Sequence, residues 1–426
     1  MRLRPTARGL GLALTGVGGI VAGIALGAVD LVRIGTLPTL LVAGALVTVW
    51  FRDPARGRHR LTVERSASPN PVHAGSPSQV TVQVRAADAS GRTRLTGIRL
   101  GEQASAELSG GRPLRARVTR VSGAVTLMYP VVAVRRGRWS LGPLVVTRSD
   151  PFGVARATAT LGQRAEIAVW PAVVDLPVPS GVLVGEPDRV ALGARTPSTD
   201  DASLRDYRFG DDLRRVHWVS SARRGELVVR SDERAGLRPV TVLLELPTRQ
   251  APLEWSISLA ASMTLSMLDA GHPARLLCGG ALPARDARET TASGKRELQR
   301  HAHTRAGAAA RADLLDRTID LDIAETPAVA EEQLLAAARL IATSDSNGEI
   351  VLAVLGPLTA RTRAALAHVA DSSQGWAIVR SGDTVAARRD ADSTAEALQH
   401  AGWRACTVEP GEDIATCWLR LLGTTR

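Results

Sequence analysis

Three places in this chain bring together residue types that could do chemistry. The first is Asp211, His217 and Ser220-Ser221, an acid, a base and two hydroxyls within one short span. A catalytic triad is defined by geometry rather than by nearness in sequence, so this grouping alone predicts an ion-paired or structural His217. The second is Glu245-Leu246-Pro247-Thr248-Arg249, which places a carboxylate at the end of an apolar run. The third is His301-Ala302-His303. That alternation puts two imidazoles on one face of a strand, but the surrounding stretch is polar and weakly patterned, so structural histidines are expected. No phosphate-cradling loop, dinucleotide fingerprint or zinc-protease helix is present. The chain reads as a non-enzyme without a cofactor, the alternative being an uncharacterised enzyme using Asp211 and His217.

The elements that must position these groups centre on residues 204–233, LRDYRFGDDLRRVHWVSSARRGELVVRSDE. Arginines and acids interleave here, which predicts ion pairs fixing a local structure rather than a single electrostatic patch. Arg can bond a carboxylate through two parallel N–H groups, so such pairs carry geometry as well as charge. Gly210 before Asp211-Asp212 signals a turn. A helix or irregular stretch is expected over 213–222, a turn at Gly225 and a strand over 226–230, with Val216, Trp218 and Leu227-Val228-Val229 as apolar anchors.

The order of residues in this stretch resembles the signature of the bacterial domain-of-unknown-function-58 family. The residues carrying it are Tyr207, Gly210-Asp211, Arg214 or Arg215, Val216-His217-Trp218, Ser221-Ala222-Arg223 and Gly225-Glu226-Leu227. Two further pieces resemble that family, Arg136-Gly137 running to Leu141-Gly142-Pro143, and Asp150-Pro151-Phe152-Gly153; on physical grounds both are turn chemistry. Tyr207, Gly210, Asp211, Arg214, Arg215, His217, Trp218, Ser221, Arg223 and Gly225 are read as a joint between domains, with no catalytic residue among them. The resemblance implies a von Willebrand factor A-like domain after the signature. Such domains often hold Mg²⁺ or Mn²⁺ in an Asp-x-Ser-x-Ser loop of hard oxygen ligands. Here Glu245 stands for the Asp, while Pro247 and Arg249 occupy the two Ser positions. Pro has no side-chain oxygen and Arg brings a positive charge, so a degenerate site without metal is expected. The resemblance also implies a partner, a MoxR-type AAA ATPase.

Composition sets the remaining bounds. The net charge is +11, Lys295 is the only lysine, and aromatic residues make up 3% of the chain, so Leu, Val and Ala must fill the cores. A basic balance suits an anionic membrane surface or nucleic acid. The N-terminus favours the membrane, and no nucleic-acid partner is expected. Cys278, Cys406 and Cys417 form no C-x-x-C pair and read as reduced thiols.

Residues 10–29 and 34–51 are two apolar runs separated by Asp30-Leu31-Val32-Arg33. Each suffices to cross a bilayer core of roughly 30 Å. Pro38 is read as lying in the first turn of the second helix, where a missing N–H is tolerated. Arg2, Arg4 and Arg8 precede the hairpin and Arg52, Arg56, Arg58 and Arg60 follow it. The positive-inside rule then places both ends in the cytoplasm, at a bacterial inner membrane. A cleaved signal peptide is the competing reading of the first run. Gly19, Gly23 and Gly27 form a small-residue ladder for packing against the second helix or another copy; the oligomeric state is open.

Past the hairpin, short alternating runs over 61–170 predict an antiparallel β-sandwich. Residues 171–237 hold a Pro/Gly/Ser-rich linker or cover and the signature. Apolar strands alternate with helices over 238–426, the pattern of a doubly wound parallel sheet. The expected fold is α+β and multidomain: residues 1–60 a transmembrane helical hairpin, 61–170 a β-sandwich-like domain, 171–237 linker and signature, and 238–426 an α/β von Willebrand factor A-like domain. The expected function is a membrane-anchored scaffold or adaptor for protein–protein interaction.

Overall fold

Apolar runs and turn residues resolve into two units in the computed structural model. It describes residues 2–51, 61–95, 98–112, 114–178, 204–206, 218–230, 237–278, 303–343 and 348–423. One unit is formed by residues 1–172 with 318–320, and the other by the rest of the chain.

The first unit opens with strand β1 (Arg2–Pro5) and helices α1 (Ala7–Leu26) and α2 (Val29–Phe51). Both helices are long and apolar enough to cross a membrane. Leu14, Ile24, Leu37 and Leu40 are each at least 66% exposed, so the apolar surface of the hairpin is not consumed inside the chain. The turn lies at Gly27-Ala28 rather than at residues 30–33: Gly27 has φ 66° and caps α1, and Asp30 and Arg33 pair within the first turns of α2. Pro38 therefore sits in the interior of α2, not in its first turn. Its ring would stand 3.0 Å from a Cβ on Gly16, so it belongs to the helix–helix contact. That contact runs along Gly16 and Gly23, whereas Gly9, the third buried glycine of α1, packs on Val154. Gly19 also approaches Gly35, whereas Gly27 belongs to the cap.

The β part follows as β2 (Leu61–Ser68), β3 (Val72–His73), β4 (Pro77–Ala86), α3 (Ala89–Leu95), β5 (Ile98–Ala104), α4 (Ala106–Ser109), β6 (Arg117–Val121), β7 (Ala124–Val132), β8 (Gly137–Ser149), β9 (Ala155–Leu161) and β10 (Ala165–Trp170). They form two sheets, β2-β4-β7-β6 and β1-β9-β8-β10-β3, with β5 also paired to β8. Alternation supplies one core: Val80, Val82 and Val84 from one sheet meet Leu144, Val146 and Ile167 from the other. Strand β1 was not foreseen. It pairs antiparallel with β9, and Val42, Ala45 and Val49 of α2 pack on Val154, Ala155 and Ala157 beside it.

The second unit contains β11 (Leu204–Asp206), α5 (Trp218–Arg224), β12 (Val228–Arg230), β13 (Val240–Leu244), α6 (Leu253–Asp269), β14 (Ala274–Cys278), α7 (Ala308–Ile319), α8 (Pro327–Ala342), β15 (Ile350–Leu355), α9 (Ala360–Ala370), β16 (Gln374–Arg380), α10 (Val385–His400), β17 (Arg404–Val408) and α11 (Ile414–Leu422). Its main sheet is wholly parallel, in the order β14-β13-β15-β16-β17. Every residue of β13 and β15 is buried, which is why these strands read as unbroken apolar runs. Residues 173–178 lie along α6: the Val174 and Leu176 N–H groups donate to Ser262 and Ser266 Oγ, and Trp418 Nε1 donates to the Pro177 carbonyl.

Two helices were poorly legible. The start of α7 lies in the weakly patterned stretch that follows His303, and α10 begins at Val385, ahead of any apolar helical spacing. The first turns of α10 hold Ala-Ala-Arg-Arg-Asp, mostly exposed, so they lack the apolar spacing from which helices are read.

Candidate functional site

The carboxyl end of the parallel sheet supplies the candidate site. A sheet in this strand order reverses its winding next to its first strand, and the loops leaving that strand and its neighbour diverge to opposite faces. Here those strands are β13 and β15. Between their ends is a cleft of about 490 Å³, lined after β13 by Glu245, Pro247, Thr248 and Arg249, and after β15 by Gly356, Pro357 and Leu358. Ser381 and Gly382 after β16 and Glu331 of α8 complete it.

Glu245 stands one residue beyond β13, as the sequence placed it, and its backbone N–H still donates to the Val354 carbonyl. Its carboxylate is occupied. Arg380 Nη2, at the end of β16, donates to Glu245 Oε2 at 3.0 Å, and the Gly356 N–H donates to the same oxygen. Arg380 Nη1 donates to Ser256 Oγ of α6 at 2.9 Å. The Arg380 side chain is 5% exposed and that of Glu245 15%. Burial pushes the Arg380 guanidinium below its usual value, and the Glu245 carboxylate opposes that shift. Gly356 is needed for the approach, because a Cβ there would stand 3.0 Å from Glu245 Oε2. An internal guanidinium thus holds the position that a cation would take beside this carboxylate. Pro247 is buried and Arg249 exposed.

Among the other polar groups of the cleft, Thr359 Oγ1 donates to Glu331 Oε1 at 2.7 Å, whereas the buried Ser381 hydroxyl has no partner among the described residues. Pro247, Pro252, Pro327, Pro357 and Pro410 line it. Prolines have fixed φ and no N–H, so they supply a stiff apolar surface.

His303 lies elsewhere, at the amino end of the same sheet. Its Nε2 is 2.8 Å from Glu349 Oε1, and Arg275 Nη2 donates to the same carboxylate at 3.1 Å. Thr241 donates to Glu349 and accepts from Arg275 Nε at 2.5 Å. Burial alone would raise the Glu349 pKa, but bonds from His303 and Thr241 and the Arg275 charge hold it below the usual carboxylate value. His303 is therefore one member of a closed ion-pair network tying β13, β14 and the start of β15. His301 lies outside the described residues.

In the signature, β11 and β12 pair antiparallel with Leu204 opposite Arg230, and α5 lies between them in sequence. Gly225 has φ 75° and its N–H donates to the Ser221 carbonyl, the turn expected there. Ser221 is buried and Arg223 exposed. Trp218, read from sequence as an apolar anchor, is 65% exposed. Tyr207, Gly210, Asp211, Arg214, Arg215 and His217 lie outside the described residues.

Residues 203–320 match a family model. It is described as "Protein of unknown function DUF58". The DUF58 match runs from the signature ribbon through β13, α6, β14 and α7, a little over a quarter of the chain. It includes Glu245 and His303, whereas Arg380 and Glu349, their partners, come from outside it. No curated protein matches the chain.

The two family-like turns before residue 203 have structural roles. Asp150 accepts N–H bonds from Phe152 and Ala155, and the Gly153 and Val154 carbonyls accept from Thr6 Oγ1, the N-cap of α1. Gly142 has φ 90°, and a Cβ there would stand 3.0 Å from the Arg65 guanidinium. That guanidinium pairs with Glu102 at 2.8 Å in the sandwich, and burial raises the Glu102 pKa against the opposing effect of Arg65. Neither Arg65 nor Arg380 was singled out in the sequence. A lone Arg in a strand gives no local signal, although Arg380 ending the apolar run Trp376–Val379 marks a strand end that bears charge.

Proposed function

We propose that this protein is a membrane-anchored scaffold whose α/β unit, von Willebrand factor A-like, binds a protein partner at the carboxyl-end cleft. The observation that carries this reading is the Arg380–Glu245 pair. The one carboxylate at the strand end is neutralised from within, and the cleft around it presents prolines, hydroxyls and the exposed Arg249. Such a surface favours recognition over bond chemistry. The anchor is the α1–α2 hairpin, with both of its ends on the cytoplasmic side of a bacterial inner membrane. The return of β1 into the sandwich sheet supports that orientation, since it puts the chain before α1 on the same side as the chain after α2. By family resemblance, the partner is a MoxR-type AAA ATPase.

Affinity capture of the full chain from native membranes, with and without ATP, tests the proposal. The expected result is co-recovery of an ATPase, lost with Arg249→Glu and Thr248→Arg, two exposed cleft positions, while thermal stability is kept. Capture of no stable partner under mild crosslinking, or capture indifferent to both cleft variants, would overturn it.

A further inference from the structure

The outer face of the β1–β9 ribbon carries an arrangement that the scaffold reading does not use. Residues directly opposite in a sheet share a face. Register then gives one row as Arg4, Arg156 and Ser149, and the next as Arg2, Thr158, Thr147 and Arg99. Leu3 and Ala157 alternate to the other face, where they pack with α2. Arg2, Arg4, Arg99 and Arg156 are exposed and show no acidic partner among the described residues. Arg4 and Arg156 face each other directly, an arrangement that costs stability unless an anion lies between them. The acid just after β8, Asp150, is buried and committed to its turn.

The position of this face limits what that anion can be. Pro5 ends β1, Thr6 caps α1, and the apolar exposed surface of α1 begins at Leu10. Phe152, 68% exposed, projects from the turn whose carbonyls Thr6 bonds. Four arginines and three hydroxyls are therefore held by a sheet at the point where an apolar hairpin emerges, beside an exposed aromatic ring. Guanidinium groups match phosphate geometry, and basic clusters next to a span bind anionic leaflets.

We propose that this face binds the headgroups of anionic phospholipids, with Arg4 and Arg156 as the central pair. The proposal rests on the reading of α1 and α2 as membrane-spanning. Lipid phosphate relieves the repulsion between the two cations and fixes the sandwich against the bilayer surface.

The test uses the full chain in nanodiscs of mixed phosphatidylglycerol and phosphatidylcholine, with retained lipids counted by native mass spectrometry. Wild type should retain phosphatidylglycerol preferentially. Arg4→Gln with Arg156→Gln should reduce that preference by about fivefold per arginine, which corresponds to about 1 kcal/mol each. Arg112→Gln with Arg117→Gln removes the same charge elsewhere on the sandwich and should leave the preference intact. In neutral detergent the Arg4/Arg156 variant should melt no lower than wild type, since a like-charge pair is removed, and it should lose the stabilisation that phosphatidylglycerol gives wild type. An unchanged preference, an equal loss in the control pair, or full competition by inorganic phosphate would overturn the proposal. Alkali extraction of the same proteins separates the two readings: a chain that stays in the membrane without lipid preference defeats this proposal alone, and a wild-type chain that is extracted defeats the membrane reading with it.

Discussion

Arg380 Nη2 lies 3.0 Å from Glu245 Oε2, so strand β16 closes the charge that strand β13 ends on. The pair is buried and shares the Gly356 N–H and Ser256 hydroxyl. Removing one member leaves the other charge uncompensated. Arg380→Met should destabilise the α/β unit by about 3–5 kcal/mol. Joining it to Glu245→Leu should recover much of that loss, because no unpaired charge remains. Denaturant melts of the full chain in mild detergent measure both.

The network at the opposite end of the sheet makes stability depend on pH. Glu349 titrates below its ordinary value of 4.5 in the folded chain. Its contribution is therefore fully present above that value and is lost as the pH falls through the lower folded-state one. Thermal melts from pH 7 to pH 3 should show this acid limb. Glu349→Gln should lower stability at neutral pH and flatten the limb.

Gly142 holds a backbone that other residues adopt only with strain, and its missing Cβ leaves room for Arg65. Gly142→Ala should cost about 1–3 kcal/mol from backbone strain, with more from displacing the buried guanidinium. Gly101→Ala, whose Cβ would meet only the Val145 carbonyl at 4.0 Å, is the matched control. Equal melting of the two variants would contradict this account.

The hairpin offers a paired contrast among glycines. A Cβ on Gly35 would lie 2.6 Å from the Gly16 carbonyl, whereas one on Gly11 or Gly18 meets nothing within 4 Å. Gly35→Leu and Gly16→Leu should separate α1 from α2, at a cost of at least about 1–3 kcal/mol typical of overpacking. Gly11→Leu and Gly18→Leu should be neutral. Crosslinking yield between cysteines placed on facing positions of the two helices reports the separation.

Local rules in the sequence determined most of the elements. Length and apolarity determined α1 and α2, alternation determined the sandwich strands, and unbroken Val/Leu/Ile runs determined β13 and β15 as buried parallel strands. They also placed Glu245 at a strand end. Each of these depends on neighbours a few residues apart, where side-chain period and turn chemistry act. The tertiary structure alone decided what answers those residues. Arg380 reaches Glu245 across 135 positions of sequence. His303 meets Glu349, and Arg2–Pro5, four residues without strand pattern, joins β9 because the hairpin returns the chain to that edge. Pairing across such distances is set by strand order and register, which arise from the packing of the whole sheet and leave no mark in the residues beside each partner.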